Sequence, residues 1–131
     1  KHYQFFVDKF QKLAKAVAEI QQPEGYWTRS MMDPEHAPGP ETSGTAFFTY
    51  GMLWGVNNGY LNKKEYKKVI DRAWTYLTET AVQADGKVGY VQPIGERAIP
   101  GQIVDANSQA NFGVGAMLLT ACEYDKYLAI K

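Results

Sequence analysis

Cysteine is almost missing from this 131-residue chain: Cys122 stands alone, so no intramolecular disulfide can form. Its setting, Leu118-Leu119-Thr120-Ala121-Cys122, reads as a small buried residue and not as a catalytic thiol. An excess of either charge is missing too. Fourteen Lys and Arg balance fourteen Asp and Glu, and no basic stripe interleaves with aromatics, so neither nucleic acid nor an anionic membrane is indicated as a partner. Polar residues break the longest uncharged apolar stretch, Ala46 to Val56, which falls well short of a bilayer span. No glycine-rich phosphate loop, Cys/His array or Ser-x-Gly nucleophile elbow occurs, and the residues call for no metal ion or cofactor. The chain opens on Lys1 without Met or a signal-like apolar segment, as a processed product or a piece of something longer would.

What the chain does have is apolar and aromatic weight, 45% and 14% of its residues, enough for one domain with a buried core. From Tyr3 to Gln22, Phe6, Phe10, Leu13, Val17 and Ile20 recur at spacings of three and four, which predicts an amphipathic outer helix. Pro23 to Thr42 holds four of the six prolines and reads as a long, ordered loop of the functional kind. Pro40 stops that loop, Thr42 or Ser43 offers a cap, and a crowded apolar helix then runs for about three turns to Asn57-Asn58-Gly59. Asn62-Lys63-Lys64-Glu65 has capping-box character and opens an amphipathic helix through Tyr66, Val69, Ile70, Ala73, Trp74 and Leu77, ending near Ala81. A turn at Asp85-Gly86, a short extended segment over Lys87 to Gln92 and a second loop from Pro93 to Asp105 precede a final helix from about Ser108 to Tyr127.

The two halves repeat, with an offset of 64 residues in the first helix and loop and 65 in the second helix. Phe10 falls on Trp74, Leu13 on Leu77 and Gly25-Tyr26 on Gly89-Tyr90, and then Ser43, Phe47, Met52 and Leu53 fall on Ser108, Phe112, Met117 and Leu118. In each unit the first helix is Lys-rich and amphipathic, while the second mixes glycine and alanine among apolar residues. Small units of this kind complete their cores by stacking. The fold class expected is all-α: an arc of two αα-hairpins, about 1–61 and 62–131, cut from an α/α toroid, with the crowded second helices inside. Apolar faces left open at the two edges of such an arc favour self-association.

Several residues carry candidate chemistry. Thr42-Ser43-Gly44-Thr45 at a helix start provides hydroxyls and free N–H groups that suit a carboxylate or phosphate, or simply cap the helix. Tyr26-Trp27-Thr28-Arg29 and Tyr90-Val91-Gln92 hold matching loop positions, where an aromatic beside a hydrogen-bonding side chain grips a sugar; Trp27 and Tyr90 serve equally as plugs between loop and helix ends. Arg29 suits a uronic carboxylate. Glu41 is a ligand candidate or a partner for the helix dipole, and a glycosidase pair of Glu41 with Asp105 would need a tertiary coincidence. Asp33-Pro34-Glu35-His36 reads as a solvated loop before it reads as a metal site, and Glu123 and Asp125 as solvated helix residues.

Taken together, Gly25-Tyr26-Trp27, Asp33-Pro34, Pro40-Glu41-Thr42-Ser43-Gly44-Thr45, Phe47-Phe48-Thr49-Tyr50, Trp54-Gly55-Val56-Asn57-Asn58-Gly59, Gly89-Tyr90-Val91-Gln92-Pro93-Ile94-Gly95 and Phe112-Gly113-Val114-Gly115-Ala116 carry a resemblance over nearly the whole chain. It resembles the C-terminal part of the unsaturated glucuronyl and rhamnogalacturonyl hydrolases, glycoside hydrolase families 88 and 105. The resemblance implies a six-hairpin (α/α)6 barrel that removes a terminal 4,5-unsaturated uronic acid from lyase-generated oligosaccharides. An Asp of the family protonates the vinyl-ether double bond and assists water addition, so the sugar opens through a hemiketal without displacement at the anomeric carbon. That Asp and a Trp-x-Arg-Gly-Asn-Gly-Trp segment belong to a part that would precede Lys1. No catalytic residue is therefore assigned here, and the chain alone is expected to be inactive. The resemblance assigns it a wall of the oligosaccharide site: Trp27, Arg29, Glu41, Ser43, Gly44 and Thr45 from the first unit, with Tyr90 and Gln92 from the second. The competing readings are a non-catalytic carbohydrate-binding module and another α/α-toroid sugar enzyme.

Overall fold

The computed structural model describes residues 2–95 and 97–130. Its helices are α1 (Tyr3–Glu19), α2 (Thr42–Asn57), α3 (Lys63–Tyr76) and α4 (Asn111–Ala129), and a π-helical turn, Leu77–Ala81, closes α3. Helix, loop, helix is thus performed twice. Only a bridge between Val82 and Val88 interrupts the all-α pattern among the described residues, and the extended segment expected over Lys87 to Gln92 goes no further.

The division into outer and inner helices follows from how the apolar residues are spread. In α1 and α3 they keep to one face, whereas α2 and α4 are apolar on nearly all sides, as suits the inner helices of a toroid. α2 is the hub, packed along α4 and against α3 and α1. Small residues allow the close approach to α4: Ala46 and Ala116 are buried, and the Thr120 hydroxyl lies 2.8 Å from both of their carbonyl oxygens. The core has two parts. One gathers Val17, Trp27, Met52, Leu53, Ile70 and Tyr127; the other joins Ala46, Leu77, Val88 and Val91 to Ala116 and Met117.

Turn chemistry behaves as the residue types dictate. α2 ends at Asn58 with Gly59 at φ +75, and the Asn62 side chain caps α3 by accepting from the Lys64 N–H at 2.9 Å. The repeat-equivalent glycines admit close backbone: a Cβ on Gly25 would lie 2.2 Å from the Arg72 carbonyl oxygen, and one on Gly89 2.3 Å from that of Ala106.

Four expectations need correction. α1 buries only Ala14 and Val17, while Phe6 and Leu13 stand open, because α2 alone among the inner helices covers it here. α4 begins at Asn111 instead of Ser108. The position matching Glu41 is Ala106, which has no side chain to cap a helix, so Ser108 turns back and donates its hydroxyl to Asp105 at 3.3 Å. Cys122 is exposed, since it lies on an uncovered face of α4 with Leu118. Glu123, by contrast, is buried. Asn57 of α2 donates to its carboxylate at 2.7 Å and Lys126 at 2.6 Å, and the Lys126 ammonium, ahead of Asn57, holds the carboxyl below the usual range against the opposing effect of burial.

The repeat exposes the edge of the arc in one comparison. Leu53 is 0% exposed beneath its neighbours, whereas its counterpart Leu118 is 61% exposed.

Candidate functional site

The predicted site residues fall at the loop end of the hairpins, around the N-terminus of α2. The residue that caps this helix is Glu41, in place of the Thr42 or Ser43 expected, with an extended backbone at φ −130, ψ 110. One carboxylate oxygen accepts from the Ser43 N–H at 3.1 Å, the Ser43 hydroxyl at 2.8 Å and the Gln92 N–H at 3.1 Å; the other accepts from the Gly44 N–H at 2.6 Å. A Cβ on Gly44 would sit 3.0 Å from that second oxygen, so a larger residue there presses on the cap. The Thr42 N–H donates to the Tyr90 carbonyl at 2.8 Å, and the Thr45 N–H to the Glu41 carbonyl at 3.2 Å. The first N–H groups of α2 are therefore spent within the protein. This end of the helix takes the capping alternative and leaves no open anion cradle.

Trp27 and Thr45 lie beneath this surface. Trp27 is 1% exposed, its indole N–H donates to the Val17 carbonyl at 2.8 Å, and its backbone N–H donates to the Thr45 hydroxyl at 3.0 Å. Thr45 is fully buried and its own hydroxyl donates to the Glu41 carbonyl at 2.7 Å. In this structure Trp27 is the plug between loop and helix, and presents no face to a ligand. The Glu41 N–H donates to the Trp27 carbonyl at 3.1 Å, so the plug also fixes where the cap begins.

The second loop is stitched onto the same helix end. Successive N–H groups of Tyr90, Val91 and Gln92 go to the Asp105 carbonyl, the Ser108 carbonyl and the Glu41 carboxylate. Between these anchors Tyr90 adopts φ +59, a left-handed conformation that a non-glycine residue holds only where its surroundings enforce it. The Thr42 hydroxyl lies 2.7 Å from the Tyr76 hydroxyl, and burial pushes the latter's titration well above the usual tyrosine range, partly offset by Thr42. The side chains of Tyr90 and Gln92 hydrogen-bond to no described residue, and both are half-buried.

Arg29 spans the two loops. Its guanidinium donates to the Gln102 side-chain oxygen at 3.0 Å and to the Gln102 carbonyl at 3.1 Å, and among the described residues no carboxylate pairs with it. These two bonds use two of the five guanidinium N–H groups. Sequence reasoning missed Gln102, Thr42 and Tyr76 as partners, and no local signal marks contacts made 34 to 73 residues away.

Other candidates are not brought together. Asp105 is exposed and spends its carboxylate on the Asn107 and Ser108 turn, while that of Glu41 is buried, so the two do not face one another across a pocket. Asp33, Glu35 and His36 are all exposed, and no three His, Cys, Asp or Glu of the described residues converge as a metal site would require. A groove of about 480 Å³ lies elsewhere, between α1 and α3 beside Gly59 to Asn62 at the opposite end of α2. No helix among the described residues is long and apolar enough to cross a membrane.

A sequence profile of Glycosyl Hydrolase Family 88 matches residues 1–128. The chain belongs to that family. This family 88 chain is 40% identical over 118 residues to an unsaturated 3S-rhamnoglycuronyl hydrolase of Alteromonas sp. (strain LOR), a match that covers 90% of the chain and 28% of that protein. A solved glycosyl hydrolase family 88 protein from Bacteroides vulgatus is 62% identical with a TM-score of 0.92, covering 97% of this chain and 36% of that one. A second structure, named Polysaccharide Lyase BACCELL_00875, is 66% identical with a TM-score of 0.93, covering 100% and 37% respectively. Solved proteins described as family 105 members share the fold alone, at 21% and 22% identity. The family 88 chain thus spans about a third of the length of the proteins it matches, as two hairpins of an α/α toroid do.

Proposed function

We propose that this chain forms one wall of the sugar pocket in a glycoside hydrolase that removes a terminal 4,5-unsaturated uronic acid from oligosaccharides released by polysaccharide lyases. The observation that carries the proposal is the 40% identity, over nine tenths of the chain, to an unsaturated 3S-rhamnoglycuronyl hydrolase. The geometry supplies the chemistry of the wall. Arg29 pairs with the uronic carboxylate, the Tyr90 ring packs on the sugar and Gln92 meets its hydroxyls, while the buried Ser43 hydroxyl stays bonded to Glu41. Trp27 and Thr45 act from beneath by holding Glu41 and α2 in place. Water adds across the double bond, a proton to C4 and hydroxyl to C5, and the resulting hemiketal opens so that the linkage breaks.

The 131 residues alone supply no catalytic Asp and turn over no substrate. The apolar residues open on α1 and α4, among them Phe6, Leu13 and Leu118, favour association of copies through the edges of the arc.

The name of the 66%-identical structure supports a second reading, in which the activity creates the unsaturated uronide instead of consuming it. Ultraviolet absorbance of the conjugated uronide separates the two. The chain and the full-length gene product that carries it are each incubated with lyase-generated disaccharides and with intact polysaccharide. A fall in absorbance with the full-length protein on disaccharides supports the hydrolase, a rise on polysaccharide supports the lyase, and no change with sugar binding retained supports a binding module.

A further inference from the structure

Resting on the reading of this end as a sugar-binding wall, we infer that Glu41 is a positioning residue and not a substrate ligand: its carboxylate locks the second loop onto α2 and so aims Tyr90 and Gln92 at the sugar. Three observations lead there. Glu41 is 3% exposed, so a ligand has almost no access to it. Its oxygens already accept four hydrogen bonds, and among the described residues no cation stands against it. Lastly, helix caps favour short side chains, Asp, Asn, Ser or Thr, and Thr42 and Ser43 stand next to it unused for that purpose. The additional methylene of Glu is superfluous for capping Ser43 and Gly44. It is what carries the carboxylate to the Gln92 N–H, 51 residues along the chain.

The consequence for recognition has two parts. The Asp105 carbonyl holds the N–H of the left-handed Tyr90, and the Thr42 and Glu41 bonds hold its carbonyl and the Gln92 N–H, so the backbone that carries the Tyr90 and Gln92 side chains is fixed. The Ser43 hydroxyl is buried and donates to Glu41, so its one proton is used within the protein. With the Ser43 and Gly44 N–H groups of α2 and the Ser43 proton spent on Glu41, this part of the wall offers no donor to an anion, so the anionic end of the sugar is directed to Arg29.

The test uses the full-length gene product with Glu41→Asp, Gln92→Ala and the double variant, read by hydrogen–deuterium exchange and by steady-state kinetics on an unsaturated uronic disaccharide. Asp keeps the cap but falls short of Gln92. The expected result is a melting temperature near that of the parent, exchange at residues 90–92 about tenfold faster or more for loss of a hydrogen bond to a charged acceptor, and a raised KM with kcat nearly unchanged. The two changes should combine to less than the product of their KM effects, because Glu41→Asp already misplaces the Gln92 side chain that Gln92→Ala removes, whereas Gln92→Ala leaves its backbone N–H bonded to Glu41. Unchanged exchange at 90–92, or KM effects that multiply in the double variant, would overturn the inference. Should Glu41→Asp fail to fold, Glu41→Ser, a short helix cap that likewise falls short of Gln92, is read by the same two criteria. If no unsaturated uronide is turned over by the parent, the functional reading fails, and the exchange result alone decides whether Glu41 holds the loop.

Discussion

Leu53 and Leu118 occupy the same place in the two repeats yet differ completely in cover, which makes them a matched pair for measuring the edge of the arc. Leu53→Ala empties a fully enclosed position, and core Leu→Ala changes cost about 2–5 kcal/mol, so about 3 kcal/mol is expected. Leu118 is 61% exposed. Full burial of such a side chain is worth roughly 1.5–3 kcal/mol, of which about two fifths is realised, so Leu118→Ala should cost about 1 kcal/mol or less. At about 4 °C per kcal/mol for a domain of this size, melting temperatures should fall by roughly 12 °C and 4 °C. The assay is urea unfolding followed by circular dichroism, at a protein concentration where sedimentation shows one species. Equal costs for the two substitutions in that sample would refute the reasoning, because the repeat edge would then be as covered as its interior. A Leu118→Ala cost that grows with protein concentration would instead show copies meeting on this face.

Further outcomes follow from single contacts. Gly25→Ala places a Cβ against the Arg72 carbonyl at a left-handed φ of +98 and should cost more than Gly39→Ala, where φ is +92 but the space is open; equal losses in urea unfolding would deny the close approach. Thr45→Val keeps shape but strands the Trp27 N–H, and a loss of about 1–3 kcal/mol is expected in the same assay. The Glu123 carboxyl lies below its ordinary value in the folded state, so its pairing contributes fully above the unfolded carboxylate range and is lost as pH falls through the lowered folded value. The stability gap between the parent and Lys126→Met should accordingly shrink between about pH 7 and pH 3, and a gap that widens on acidification would contradict that assignment.

Local chemistry explains which features could be read in advance. The Asn58-Gly59 stop, the Asn62 cap, the Asp85-Gly86 turn and the inner and outer character of the helices all depend on neighbours within a few residues, and the structure has them where composition and spacing place them. The errors arise where a distant segment decides. Periodicity marks Leu118 and Cys122 as apolar-face residues but cannot say whether any helix covers that face. Glu123 looked solvated because its partner Asn57 lies on α2. The repeat placed a helix start at Ser108, where the absence of a counterpart to Glu41 delays it. At the site, residue types at the α2 start were legible, but not which of the two roles open to Glu41 and to Trp27 each takes, since that is set by contacts across loops.

The solitary thiol acquires a use from its position. Cys122 sits one helical turn beyond Leu118 on the open side of α4, and its counterpart in the first repeat, Asn57, is the residue that reaches across to Glu123. Whatever settles on this side of α4 must pass over the sulfur. The rate at which a maleimide or iodoacetamide labels it is therefore a built-in gauge of occupancy, fast when the edge is bare and slow once a neighbouring helix lies against it, with no engineered probe required.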